Sequence, residues 1–139
     1  MADLLTADEI NGMLRKSPFI AFMNLTCTAV DPHGPKITMT MPMRPEFERG
    51  PGTGQFHGGP IASFIDTVGD YALVLTLQAG VPTVNFRVDY LRPAFGSHLT
   101  GIATVRRAGR TVGVVDVDVY DANEKLVAVG RGTYSTSPG

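Results

Sequence analysis

The sequence predicts an α+β fold: one long central helix against an antiparallel sheet, with a short helix before it. Three observations predict it. The pattern Thr6-Ala-Asp-Glu9 is a capping box ahead of a short amphipathic stretch. A long apolar stretch from Gly59 to Gln78 is too long for a strand. Six segments show strand patterning or β-rich composition between turn signals.

The elements follow in order. The capping box predicts a helix from Ala7 to Lys16, with Ile10, Met13 and Leu14 on one face and Ser17-Pro18 ending it. MNLTCTAVD and KITMTMPM read as strands joined by a PHGP turn. In the second, Ile37, Met39, Met41 and Met43 alternate with Thr38, Thr40 and Pro42. Arg44 to Phe56 is rich in Gly and Pro and reads as a loop. The helix from Gly59 to Gln78 follows, with apolar residues round most of its circumference, which predicts burial in a core. Four strands complete the chain as a meander: Thr83–Leu91, His98–Arg107, TVGVVDVDVY and LVAVGRGTYS. Gly109-Arg110 and Asp121–Glu124 supply hairpin turns. A sheet covers only one side of such a helix, so a second copy of the chain is expected on another.

The 139 residues suit a single domain, read here as 1–139, with 43% apolar and 18% charged residues. A net charge of -1 without a basic run argues against nucleic acid. Cys27 is the single cysteine, so no disulfide forms within the chain; no Cys/His zinc spacing is present and no metal is expected. Cys27 reads as a half-buried strand residue. The N-terminus lacks the pattern of a secretory leader. Asp66, Gly69 and Asp70 interrupt the stretch Pro60–Gly80, which argues against a membrane span. A soluble, cytoplasmic protein is the expectation.

The chemistry concentrates in GQFHGGPIASFID, Gly54 to Asp66. Gly58 and Gly59 open the long helix, where backbone N–H groups lack partners and the helix dipole is positive. Glycine admits close approach, and Pro60 fits the first turn. Such a terminus can hold a carbonyl oxygen that becomes negative. Asp66, inside a helix expected to be buried, is costly unless it is paired or functional. Desolvation there would make a carboxylate a better base, and Asp70, at i+4, pushes the same way. Gly58 and Asp66 lie about 12 Å apart along one helix, so a site using both draws them from two antiparallel copies. His57 is either a structural hydrogen-bonding group or a residue that polarises the same carbonyl.

His57-Gly58-Gly59, Asp66 nine residues after the histidine, Tyr90-Leu-Arg-Pro93 and Arg107-Ala-Gly109-Arg110 together resemble the hotdog-fold acyl-CoA thioesterases, of the PaaI and human thioesterase superfamily member 2 type. The likeness runs from about Asn24 to Tyr134. It implies an antiparallel sheet wrapped around the central helix, and dimers or dimers of dimers. It implies an acyl-CoA substrate and no cofactor beyond the coenzyme A of that substrate. It also implies roles. Asp66 is base or nucleophile, Gly58 N–H the oxyanion donor, and His57 a neighbour of the carbonyl. Thr83 orients water. Gly59, Gln55 and Asp70 line the substrate, and Arg92, Arg107 and Arg110 meet phosphates. Two positions depart from the pattern: Pro51 stands where relatives carry Asn or Gln, and Asp70 where they carry Ser or Thr. Hydratase and dehydratase spacings of the same fold are missing. The alternative is a non-catalytic acyl-CoA or fatty-acyl binding protein, for which Pro51 speaks and against which Asp66 speaks.

Overall fold

The computed structural model describes residues 4–31 and 33–137. Pro32 of the PHGP turn and the ends of the 1–139 domain reading lie outside the described residues. Two short helices come first, α1 (Ala7–Leu14) and α2 (Pro18–Met23), then strands β1 (Thr26–Val30) and β2 (Lys36–Pro42). The long helix α3 (Gly58–Leu77) follows, then β3 (Thr83–Tyr90), β4 (His98–Ala108), β5 (Val112–Asp121) and β6 (Leu126–Ser135).

The sheet is antiparallel throughout, in the order β1-β2-β4-β5-β6-β3. It wraps around α3, the hotdog arrangement that the resemblance implies. Only β4-β5-β6 is the meander expected of the last four strands. β3 crosses to the far edge and pairs with β6, Thr83 opposite Tyr134 and Tyr90 opposite Ala128. The alternation read in β5 holds: Val115, Val117 and Val119 are buried, while Asp116, Asp118 and Tyr120 face outward.

Thr6 caps α1 with both bonds of the capping box: its Oγ1 accepts from Glu9 N–H, and Glu9 Oε1 accepts from Thr6 N–H. Ile10 and Leu14 seal the core from α1. Asn11 clasps the backbone of β1, donating to the Cys27 carbonyl at 3.0 Å and accepting from Cys27 N–H at 2.7 Å. One sheet edge is thereby covered. Cys27 is buried rather than half-buried, and burial pushes its thiol pKa up. Pro18, expected only to end α1, also starts α2, because proline lacks the N–H that a first helical turn leaves unpaired.

α3 passes the length and apolarity test for a membrane span, but here it is the core helix. Its buried residues are Ile61, Phe64, Ile65, Val68, Gly69 and the run Ala72–Leu75. The opposite face is not apolar, contrary to the reading of a helix greasy nearly all round. Ala62, Ser63, Asp66, Thr67, Asp70 and Tyr71 are only half-buried and line an open cavity. Small residues on the sheet let the helix settle close: a side chain at Gly130 would come within 2.6 Å of Ile65, and one at Gly113 within 2.7 Å of Leu73.

Candidate active site

The N-terminus of α3 is built by three contacts. His57 is the N-cap, and its Nδ1 accepts from Gly59 N–H at 3.2 Å. In the neutral ring the proton then sits on Nε2, a donor on an exposed side chain. Tyr90 donates its hydroxyl to the Gly58 carbonyl at 2.7 Å, tying the helix start to the end of β3. The phenol lies so close that a Cβ on residue 58 would meet it at 3.2 Å, which accounts for glycine there. Of the two glycine N–H groups, Gly59's is taken by His57. Gly58's has no acceptor in its own first turn.

Beside Gly58 lies a cavity of about 320 Å³. Gln55, Tyr90, Arg92 and Arg49 line it. Pro51, exposed in its loop, does not, so the amide near the helix terminus comes from Gln55. Arg49 was not singled out in the sequence, because a loop without periodicity gives no sign of where its side chains point. Arg107 and Arg110, at the β4–β5 hairpin, line neither this cavity nor the one beside Asp66.

Asp66 lies two turns along α3. Thr83 donates its hydroxyl to Asp66 Oδ1 at 2.8 Å, across from the first residue of β3. Beneath it, Tyr134 donates to the Asp66 main-chain carbonyl at 2.9 Å. Tyr134 is fully buried, and desolvation, then the charges of Asp66 and Asp70, raise its pKa far above the usual tyrosine value. Asp70 stands one turn on. Burial first, and the Asp66 charge second, push its carboxyl up to about 7. Asp66 and Asp70 share a cavity of about 750 Å³ with Phe19 and Ile20 of α2, Tyr71, and Phe86 of β3.

The sequence-predicted residues thus fall into two groups within one chain. Gly58, Gln55 and Arg92 gather at the start of α3, with His57 capping it. Asp66, Thr83 and Asp70 gather further along. Among the described residues, neither of these two cavities holds both groups. Chemically, one end offers a backbone donor to an oxygen that gains charge, and the other a carboxylate with one oxygen held and one free.

The chain is similar to known proteins. A family model described as the thioesterase superfamily matches residues 53–128. The acyl-coenzyme A thioesterase PaaI of Escherichia coli is 39% identical over 77 residues, 55% of this chain and 54% of that one. Acyl-coenzyme A thioesterase 13 of Homo sapiens is 34% identical over 95 residues, 66% of this chain and 67% of that one. The match therefore spans between about half and two thirds of those relatives' own length. A crystal structure of a thioesterase superfamily protein overlays with a TM-score of 0.85 at 29% identity, covering 93% of this chain and 96% of the other.

Proposed function

From a chain that belongs to the thioesterase superfamily, we propose an acyl-CoA thioesterase that hydrolyses the thioester to a free acid and coenzyme A, its active site shared between two copies of the chain. The observation that carries this reading is the Asp66 carboxylate, which lines the open cavity and is held by Thr83. Thr83 fixes one carboxylate oxygen and leaves the other free to face a reacting group.

In this mechanism the thioester oxygen sits at Gly58 N–H of one copy, where the helix dipole favours negative charge. Asp66 of the other copy takes a proton from water as the water attacks the carbonyl carbon, or attacks that carbon itself to form a mixed anhydride, which water then hydrolyses to the free acid and the regenerated carboxylate. The oxyanion collapses, the carbon–sulfur bond breaks, and the thiolate leaves to take up a proton. His57 stands at the same terminus with Nε2 as donor. Arg92 and Arg49 line the adjoining cavity, suited to the phosphates of coenzyme A. No cofactor or metal takes part.

The bare surfaces favour the pairing. Among the described residues β3 is the last strand on its side of the sheet, and it exposes Val84, Phe86 and Tyr90. An uncovered apolar edge invites a partner strand. Two antiparallel copies joined there set the open faces of α3 side by side and bring Asp66 of each toward Gly58 of the other. A dimer, or a dimer of dimers, is the resulting assembly.

The test is thiol release from a panel of aromatic and straight-chain acyl-CoAs, with wild type beside Asp66→Asn. The expected result is hydrolysis by wild type and a loss of about a hundredfold or more in the variant. Binding of acyl-CoA without thiol release by wild type would instead favour a binding protein and overturn this reading.

A further inference from the structure

One peptide unit at the start of α3 is held from both sides. The Gly58 carbonyl accepts from the Tyr90 hydroxyl at 2.7 Å, and the Gly59 N–H donates to His57 Nδ1 at 3.2 Å. That carbonyl and that N–H belong to the same amide. The peptide is trans, so they point in opposite directions. The two bonds form one chain, from phenol through amide to imidazole. Resonance couples its halves: charge drawn onto the carbonyl oxygen makes the N–H a stronger donor.

The two ends of the chain are anchored differently. Tyr90 closes β3 opposite Ala128, and the next residue, Leu91, donates its N–H to the Val127 carbonyl at 2.9 Å. Burial pushes the phenol above the usual tyrosine pKa, so it stays a donor. The His57 main chain is fixed too, its N–H donating to the Phe47 carbonyl at 2.7 Å. Its ring is not. The side chain is exposed, and among the described residues the Gly59 bond is the ring's only hydrogen bond. Both bonds of the chain lie within one protomer, so a second copy along β3 does not replace them.

A ring held by one bond takes the form that bond selects. Nδ1 accepts only while it carries no proton, which places the hydrogen on Nε2. The other neutral form would set Nδ1–H against Gly59 N–H, two donors facing each other, and the ring would leave the cap. It would also turn Nε2 into a bare lone pair, which repels the negative charge that grows on a thioester oxygen. Resting on the thioesterase reading, we propose that Tyr90 is a positioning residue: through the Gly58–Gly59 amide it holds His57 in the form that presents Nε2–H at the end of α3 that receives the thioester.

The experiment reads the ring nitrogens of isotope-labelled histidine by NMR at about pH 8, where an ordinary imidazole is neutral. It also reads thiol release from hexanoyl-CoA and benzoyl-CoA. His57→Asn identifies the His57 signals among the three histidines and keeps an acceptor at the N-cap. Wild type should show Nε2 protonated and Nδ1 accepting. Tyr90→Phe keeps a ring against Gly58 and removes the hydroxyl alone. It should draw the two nitrogen signals toward each other, as a mixture of forms does, and lower kcat about fivefold with KM little changed. In the His57→Asn background the same change should lower kcat less than about twofold, because the chain has lost its end. His57 signals unmoved by Tyr90→Phe, or an equal loss of kcat with and without His57, would overturn the role of Tyr90. If Tyr90→Phe fails to fold, wild type decides: a proton on Nδ1 overturns the chain. Wild type that turns over neither acyl-CoA would count against the thioesterase reading, while the nitrogen signals still decide whether the amide carries the effect of Tyr90 to His57.

Discussion

Gly69→Ala should destabilise this protein although it places a better helix former in the middle of a helix. In an unobstructed helix interior the change gains about 1 kcal/mol. Here the added Cβ would overlap the Tyr134 hydroxyl. That hydroxyl is the one that donates to the Asp66 carbonyl. Over-packing a core costs about 1–3 kcal/mol, and displacing the phenol also strands a buried hydroxyl at about 1–3 kcal/mol. After the helix gain, a net loss of about 2–3 kcal/mol is expected. Tyr134→Phe removes the obstruction and alone should cost about 1 kcal/mol for the lost bond. In that background the new Cβ has its nearest ring atom at 3.2 Å, tight but not overlapping. Gly69→Ala should then be close to neutral, giving a coupling energy of about 2 kcal/mol in the double-mutant cycle. Gly132→Ala is the control. Its Cβ would meet ring carbons of Tyr134 at 2.5 Å, so it should remain destabilising with phenylalanine present. Urea unfolding at fixed protomer concentration reads all of these. Costs at Gly69 and Tyr134 that add to within about 0.5 kcal/mol would refute the contact as the cause.

Other outcomes follow from the same geometry. The Asp70 carboxyl has its pKa raised to about 7, so its contribution to stability is full below the unfolded-state value and is lost as pH rises through about 7. Between pH 5 and pH 8, wild type should lose about 3 kcal/mol relative to Asp70→Asn in urea titrations, and parallel curves would contradict the shift. Thr83→Ala should lower kcat about tenfold with KM little changed, whereas Thr83→Ser should keep most of the activity, as thiol-release kinetics will read. Cys27 should resist a disulfide reagent in the native protein and react on unfolding, because its thiol is buried and its pKa raised. Rapid labelling under native conditions would show that α1 does not stay closed over β1.

Much of this architecture is legible in the sequence where the signal is local. The capping box gives the start of α1, and the alternation of valine with aspartate gives β5 and its inward face. Non-local pairing is different. β3 carries the pattern of a strand, but nothing in its residues names β6 as its neighbour. α2 is hidden because proline both stops one helix and starts the next. On α3 the apolar residues suggested burial all round. The small and polar residues between them, Ala62, Ser63 and Thr67, are what leave a face open for the cavity. Asp66 and Gly58 stood out as chemically expensive or permissive choices. Tyr134 did not, since a tyrosine in a last strand looks like ordinary packing until its hydroxyl is seen under Asp66.

The central claim is that one active site takes Gly58 from one copy and Asp66 from the other, and subunit complementation tests it most directly. Asp66→Asn removes the carboxylate. Gly58→Pro removes the backbone donor at a first helical position, and Gly58→Ala, which brings the same Cβ against Tyr90 but keeps the N–H, is its steric control. The Asp66→Asn and Gly58→Pro homodimers should each release little thiol from acyl-CoA. Co-expressed with different tags and purified as the mixed dimer, the two variants restore one complete site of two. The account predicts recovery of about half the wild-type rate per dimer. A verified mixed dimer as inactive as its parents would contradict it and return both residues to a site within one chain.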